Sequence, residues 1–243
     1  MCEMCRRNSI ERFEPSRRGV LGAAISTMGL LLASAAGAKE MKAPPKPQNV
    51  LTPAASLERL RKGNARYVEG VSLRHDFKHE REALAGGQNP YAAVLSCADS
   101  RIAPEYAFDS GRGDLFVCRV AGNFANSESV ASLEYAVAEL GTPLILVLGH
   151  DACGAVSATI KSLKDNTTLP GHLPSLVEGI APAVKAVSGQ TGDTLANAIR
   201  QNVIDNVSKV SSATPILSAA VEQNKLKVVG GIYRLRDGRV EMV

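Results

Sequence analysis

Residues 92–101 read AAVLSCADSR, and residues 144–155 read LILVLGHDACGA. In each stretch an apolar run of strand length comes first, and a helix could begin where the polar residues end. Unbroken apolar runs of this kind are typical of parallel strands that helices cover on both faces. The two stretches therefore predict two strands, residues 92–96 and 144–148, of one parallel sheet.

Further strands are predicted in other parts of the chain. Residues 115–120 and 227–233 are short apolar runs with several β-branched residues. Residues 240–243 follow the turn signal Asp237-Gly238 and are predicted to pair as a terminal hairpin strand. The sequence therefore predicts an α/β fold with a mainly parallel, four- to five-stranded sheet flanked by helices.

Helical spacing of apolar residues predicts the elements that cover the sheet. The predicted helices span residues 56–68, 80–84, 129–140, 155–163, 175–187, 194–210 and 215–223. Gly63 interrupts the spacing in the first of them, and the polar residues 71–80 are predicted to form a loop. The first helix would form a helical N-terminal arm.

Length and charge limit the kinds of protein that the chain can be. At 243 residues it can form one large α/β domain with a substantial core. Aromatic residues make up 4% of the chain and Trp is absent, so Val, Leu, Ile and Ala must fill that core. The formal net charge of +4 is spread along the sequence, which gives no reason to expect a nucleic-acid partner.

The N-terminal residues have the pattern of an export signal. Arg17-Arg18 precede a mildly apolar segment, residues 20–38, that ends in Ala36-Gly37-Ala38. Adjacent arginines before such a segment resemble a bacterial twin-arginine signal, and the small residues predict cleavage near Ala38. The alternative is an uncleaved membrane anchor, since about 19 residues can just span a bilayer.

This pattern divides the chain into three parts. Residues 1–38 are predicted to be a cleaved signal peptide, residues 39–53 an extended arm, and residues 54–243 the functional domain. The mature protein is then expected in the periplasm or otherwise exported, with membrane contact only during export.

Two thiols and one imidazole lie at the predicted strand ends. Cys97 follows the first strand, and His150 and Cys153 follow the second. Zn²⁺ accepts these donors in tetrahedral geometry, and three protein ligands leave a fourth position open for chemistry. The pattern predicts a catalytic zinc site. The alternative is that both cysteines are small buried residues and that His150 is a hydrogen-bonded core histidine.

The number of cysteines is consistent with such a site. After signal cleavage the chain would keep Cys97, Cys118 and Cys153, which do not make the disulfide framework of a small exported domain. Cys118 is then a lone thiol on a predicted strand. Export of an already folded protein would allow the metal to bind in the cytoplasm, before the thiols could oxidise.

Asp99 and Arg101 lie two residues apart in the loop after the first strand. A guanidinium close to a carboxylate keeps the carboxylate ionised. Asp99 could bind the zinc as a fourth ligand and close the site, or Arg101 could hold it away so that it orients a zinc-bound hydroxide. A third interpretation is that the two residues only cap the following turn. The sequence leaves these alternatives open.

The two motifs, CADSR at residues 97–101 and GHDACGAV at residues 149–156, resemble those of the β-class carbonic anhydrases, C-x-D-S-R and H-x-x-C. The likeness extends to residues 57–70, 87–90, 119–123, 133–137 and 229–240. It covers roughly residues 54–243, and the two motifs together are highly specific.

This resemblance implies a zinc enzyme that reversibly hydrates CO₂ to bicarbonate and a proton by means of zinc-bound hydroxide. It implies one Zn²⁺ per subunit, with Cys97, His150 and Cys153 as ligands. Asp99 and Arg101 would form the catalytic dyad.

The resemblance also implies substrate contacts and an oligomer. Gln88 matches a family glutamine whose amide donates to a substrate oxygen, and Gly154 would offer its backbone beside the metal. Related enzymes are dimers or higher multiples in which the N-terminal helix reaches across to the partner. A homodimer or homotetramer with the active cleft at the interface is therefore expected.

One position departs from the family pattern. Some members are switched off by bicarbonate bound at a second site, which uses a Trp three residues before the first ligand; here that residue is Val94. Two other functions stay open. The same fold could hydrolyse carbon disulfide or carbonyl sulfide, or it could bind zinc without catalysis.

Overall fold

The computed structural model describes residues 44–243. The signal peptide predicted at residues 1–38 lies outside the described residues, as does the first part of the arm predicted at 39–53. The described part of that arm contains a short 3-10 turn at Pro47–Asn49. Among the helices of residues 44–243, none combines the length and the apolar character needed to cross a membrane.

Five strands form one sheet in the described residues. They are β1 (Ala92–Ser96), β2 (Leu115–Arg119), β3 (Leu144–His150), β4 (Lys227–Tyr233) and β5 (Val240–Met242). Their order is β2-β1-β3-β4-β5; β1 to β4 are parallel, and β5 runs antiparallel to β4. The predicted mainly parallel sheet and its terminal hairpin strand are confirmed.

The two apolar stretches form the centre of the sheet. β1 and β3 are neighbours, and every residue of both strands is buried. Ser96 pairs with Leu148, so the two strands end side by side. The edge of the sheet where β1 to β4 end is called the carboxyl edge below, and Cys97 and His150 both lie there. Functional sites in open parallel sheets collect at this edge.

Eight α-helices accompany the sheet in residues 44–243. They are α1 (Pro53–Val68), α2 (Phe77–Leu84), α3 (Pro104–Ala107), α4 (Ser127–Ala138), α5 (Gly154–Lys164), α6 (Pro174–Ala186), α7 (Thr194–Ser211) and α8 (Ile216–Glu222).

The first helix is longer and more regular than its sequence predicts. It begins at Pro53, where the hydroxyl of Thr52 accepts a hydrogen bond from the Ala55 N–H at 3.2 Å and caps the helix. It continues through Gly63, where a Cβ atom would lie 1.9 Å from the Phe108 carbonyl oxygen. Glycine at this position is a packing requirement and not a break in the helix.

Two short helices also differ from the sequence prediction. α2 begins at Phe77, inside the loop predicted at residues 71–80, because Asp76 caps its N-terminus. α3 was not predicted; it is a single turn that starts with Pro104, whose fixed φ suits the first helical position.

Apolar side chains pack on both faces of the sheet. Ala93 and Leu95 of β1 join a core formed with α4 to α8, whereas Val94 joins a second core formed with α1. Leu57 and Leu60 of α1 are buried in that second core. The N-terminal helix therefore packs on the sheet of its own chain.

Candidate active site

The three predicted metal donors meet at the carboxyl edge. Cys97 directly follows β1, His150 is the last residue of β3, and Cys153 is the N-cap residue of α5. One ligand atom of each residue lies within 4.8 Å of the other two, and all three residues are buried. The parallel pairing of β1 with β3 is what brings together donors that are far apart in the sequence.

The imidazole of His150 is oriented for metal binding. Its Nδ1 lies 2.8 Å from the Asp151 carbonyl oxygen, which can only accept, so Nδ1 carries the proton. The lone pair is then on Nε2, which is buried and has no hydrogen-bond partner among the described residues. A buried nitrogen without a partner is costly, and a metal ion at this point would remove that cost.

The two thiols of the cluster shift each other's pKa in opposite directions. A hydrogen bond from Cys153 is the largest of the effects that lower the pKa of Cys97 to about 4. The same contact, together with burial, raises the pKa of Cys153. Both are free thiols. A divalent cation bound between them favours the thiolate form of both sulfurs.

Cys118 is the third free thiol and lies apart from this cluster. It belongs to β2, it is half-buried, and burial raises the pKa of its thiol. The cluster therefore consists of two sulfurs and one nitrogen, a donor set that fits Zn²⁺ in tetrahedral geometry with one position left for another ligand.

Asp99 and Arg101 form a close ion pair beside the donor cluster. Arg101 donates from Nε to Oδ1 at 2.9 Å and from Nη2 to Oδ2 at 2.6 Å. This contact holds the pKa of Asp99 well below its usual range. Asp99 Oδ2 lies 3.8 Å from His150 Nε2, so the carboxylate faces the point where the three donors converge.

Arg119 is a residue of this site that the sequence analysis missed. It ends β2 and donates three hydrogen bonds, to the carbonyl oxygens of Cys97 (2.9 Å), Asp99 (2.8 Å) and Ile102 (2.9 Å). It therefore fixes the backbone of the loop that carries the dyad. The available signals were a basic residue at the end of a strand and the family likeness of residues 119–123, and neither reveals these partners.

Gln88 lies at the opposite edge of the sheet from the donor cluster. It is exposed and precedes β1, whereas Cys97 follows β1. Its neighbour Asn89 bonds to the backbone of Lys46, and the Lys46 ammonium pairs with Asp114 just before β2. The structure thus places the donor cluster and the Asp99–Arg101 dyad side by side. Within one chain, Gln88 does not reach either of them.

Gly154 does lie beside the donors, since it follows Cys153 and is the first residue of α5. Apart from its chain neighbours and the backbone of its own helix, no atom of the described residues lies within 4 Å of the place where its Cβ would be. Its backbone is therefore accessible to a small molecule bound at the cluster.

A parallel α/β sheet with a Cys-His-Cys donor set and an ionised carboxylate at its carboxyl edge defines a zinc enzyme that activates water. A family profile described as carbonic anhydrase matches residues 92–240, more than half of the chain. The chain belongs to the β-class carbonic anhydrase family. These enzymes use zinc, and the Cys97, His150 and Cys153 cluster is the corresponding site.

Two bacterial proteins are similar over most of the chain. Carbonic anhydrase 2 of Mycobacterium tuberculosis is 39% identical over 189 residues, covering 77% of this chain and 91% of that protein. A carbonic anhydrase of Mycolicibacterium smegmatis is 38% identical over 195 residues, covering 78% and 93%. Similarity to these two carbonic anhydrases supports carbon dioxide hydration. It favours this activity over hydrolysis of carbon disulfide or carbonyl sulfide and over zinc binding without catalysis.

Solved structures share the fold. The β-carbonic anhydrase CcaA has a TM-score of 0.60 at 28% identity and covers 78% of this chain and 92% of its own. A Coccomyxa β-carbonic anhydrase in complex with acetazolamide has a TM-score of 0.60 at 27% identity, covering 78% and 85%. A structure from a study of two tetrameric β-carbonic anhydrases of the ascomycete Sordaria macrospora has a TM-score of 0.59 at 25% identity, covering 78% and 94%.

Proposed function

We propose that this carbonic anhydrase hydrates carbon dioxide at the carboxyl edge of its sheet, with Asp99 and Arg101 as the catalytic dyad. The observation that carries the proposal is the position of the Asp99 carboxylate. It is held by Arg101 through both oxygens and lies 3.8 Å from the unpartnered Nε2 of His150. A carboxylate placed there lies beside the metal donors, where it can accept a hydrogen bond from the reacting water.

Cys97, His150 and Cys153 would hold the metal. When bound there, Zn²⁺ acts as a Lewis acid and lowers the pKa of a coordinated water from near 16 to roughly 7. The protein contributes the three donors, the Nδ1 hydrogen bond that orients His150, and burial of the whole cluster.

Asp99 orients the attacking water. Its depressed pKa keeps it ionised at neutral pH, so it can only accept hydrogen bonds. Each oxygen receives a bond from Arg101, and the remaining lone pairs can accept from the water. The water then presents a lone pair to the carbon of CO₂, and attack gives bicarbonate and one proton.

Arg101 keeps Asp99 in this role. The guanidinium also reaches the Ala152 carbonyl oxygen at 3.5 Å, which ties the first motif to the second. With both oxygens engaged, Asp99 is held as an acceptor for the water and is kept from becoming a fourth metal ligand. Gly154 would add its accessible backbone to the substrate side of the site.

Gln88 would act from a second copy of the chain. It lies at the edge of the sheet opposite its own donors, and it is exposed. An amide donor from a partner subunit would complete the site, which makes a homodimer or homotetramer the functional form. The tetrameric relatives from Sordaria macrospora support this proposal.

The chain would act outside the cytoplasm. Arg17-Arg18 and the small residues before Ala38 support export by the twin-arginine route and cleavage of residues 1–38. Changing Arg17 and Arg18 to Lys should keep the precursor in the cytoplasm. The same change at the other adjacent pair, Arg6 and Arg7, is the matched control and should leave export intact.

The activity is tested by stopped-flow CO₂ hydration with the purified mature chain, while zinc is measured on the same sample. We expect about one zinc per chain and a hydration rate that depends on it. Full zinc occupancy without hydration would contradict the proposed function.

A further inference from the structure

The Cys97 sulfur accepts a hydrogen bond from a loop that contributes no metal donor. The N–H of Gly122, three residues after β2, donates to Cys97 Sγ at 3.2 Å. Gly122 has φ +88°, and a Cβ atom there would lie 2.4 Å from Ile180 Cδ1. Only glycine allows the backbone to approach the sulfur in this way.

A buried amide of α7 holds Gly122 in this position. Asn202 is 1% exposed, and its Nδ2 donates to the Gly122 carbonyl oxygen at 2.8 Å. Its Oδ1 in turn accepts from Nδ2 of Asn206 at 3.1 Å. Asn206 lies one helical turn further along, so the two amides form one chain of hydrogen bonds.

The same face of α7 holds the other end of the loop. Oδ1 of Asn206 accepts from the Ala125 N–H at 2.7 Å, and Nζ of Lys209 donates to the Ala125 carbonyl oxygen at 2.6 Å. Residues 202, 206 and 209 have the i, i+4, i+7 spacing of one helix face. Residues 122–125 are therefore fixed at both ends by α7.

We infer that Asn202 is a positioning residue for the metal centre, because it holds the Gly122 N–H against the Cys97 sulfur. A hydrogen bond to a thiolate stabilises its anionic form and fixes the sulfur in the position from which it binds the metal. Asn202 touches neither the donors nor the substrate and acts only through Gly122. The inference rests on metal binding at this site and not on the roles proposed for Asp99 and Arg101.

The hydrogen bond can be observed directly by nuclear magnetic resonance. The protein is loaded with ¹¹³Cd in place of zinc, and scalar coupling between the Gly122 amide proton and ¹¹³Cd is measured across the N–H···S–Cd path. We expect coupling in the parent protein and its loss in Asn202→Leu, which keeps the branched shape of the side chain but has no donor. Asn197→Leu, on the same helix, is the matched control because Asn197 donates to Thr191 instead, and it should keep the coupling.

Zinc affinity gives a second readout. In competition with a chelator, Asn202→Leu should bind zinc roughly 10-fold more weakly than the parent, as is typical when an outer partner of a metal ligand is removed. The Asn197→Leu control should match the parent. A purely structural role for Asn202 would lower the unfolding temperature without changing the coupling or the zinc affinity.

Absence of the coupling in the parent protein would overturn the inference, and so would its persistence in Asn202→Leu. If Asn202→Leu does not fold, Asn202→Ala decides, since it removes the same donor to the Gly122 carbonyl oxygen without adding bulk: loss of the coupling supports the inference and unchanged coupling overturns it. Hydration of CO₂ by the zinc-loaded parent is measured separately. Coupling without hydration would contradict the proposed function and leave this inference standing.

Discussion

Arg101 grips the carboxylate of Asp99 from two directions, through its side chain at 2.9 and 2.6 Å and through its own backbone N–H at 2.9 Å. Three donors from a residue two positions away fix the plane of the carboxylate. They also hold its pKa well below the usual range. The dyad is thus built before any substrate arrives, and it keeps one ionised acceptor at the carboxyl edge.

Replacing Asp99 with Asn should lower kcat/KM for CO₂ hydration by roughly 100-fold or more, because the amide cannot orient the water as the carboxylate does. Zinc content should stay close to one per chain, since Asp99 is not one of the three donors. Stopped-flow rates and metal analysis on the same samples check this. A variant that loses zinc but keeps its rate would show that the roles are assigned wrongly.

Cys153→Ser should abolish tight zinc binding, since it removes one of three donors that converge within 4.8 Å. Cys118→Ser is the matched control because Cys118 is a free thiol on β2 outside the cluster. It should retain zinc and activity. Metal analysis after dialysis against a chelator distinguishes the two, and equal zinc loss in both variants would contradict the site.

Arg119→Gln should reduce the rate of CO₂ hydration by about 10- to 100-fold. The loop that carries the dyad would lose the three hydrogen bonds that Arg119 donates to its carbonyl oxygens, and small misplacements of reacting groups lower the rate strongly. Zinc should remain bound, since the donors themselves are unchanged. Arg236→Gln, at an exposed arginine of the β4–β5 turn, is the control and should keep the parent rate. A hydration rate in Arg119→Gln equal to that of the parent protein would show that Arg119 does not contribute to the site.

Gln88→Ala should reduce hydration by about 100-fold if its amide donates to a substrate oxygen. When chains carrying Gln88→Ala are co-assembled with chains carrying Asp99→Asn, activity should rise above that of either variant alone. The reason is that a mixed interface pairs an intact dyad with an intact partner glutamine. No gain in mixed oligomers would show that Gln88 does not act across an interface.

Much of the sheet could be predicted from the sequence. β1 and β4 have the predicted bounds, and β3 extends only two residues further, to His150. A buried parallel strand appears in the sequence as an unbroken apolar run, because both of its faces must be apolar. The helix α3 could not be predicted in this way, since a single turn is too short for a helical spacing of apolar residues to be recognised.

By itself the sequence determined the strands, the two thiols and the imidazole at their ends, and the placement of Asp99 two residues before Arg101. These are local properties: apolar runs, donor chemistry and a spacing of two residues. Tertiary structure alone decided that His150 Nε2 lacks a partner, that Arg119 binds three carbonyls and that Asn202 reaches Gly122. Each of these depends on distances between segments far apart in the chain, which only the packing of strands and helices sets.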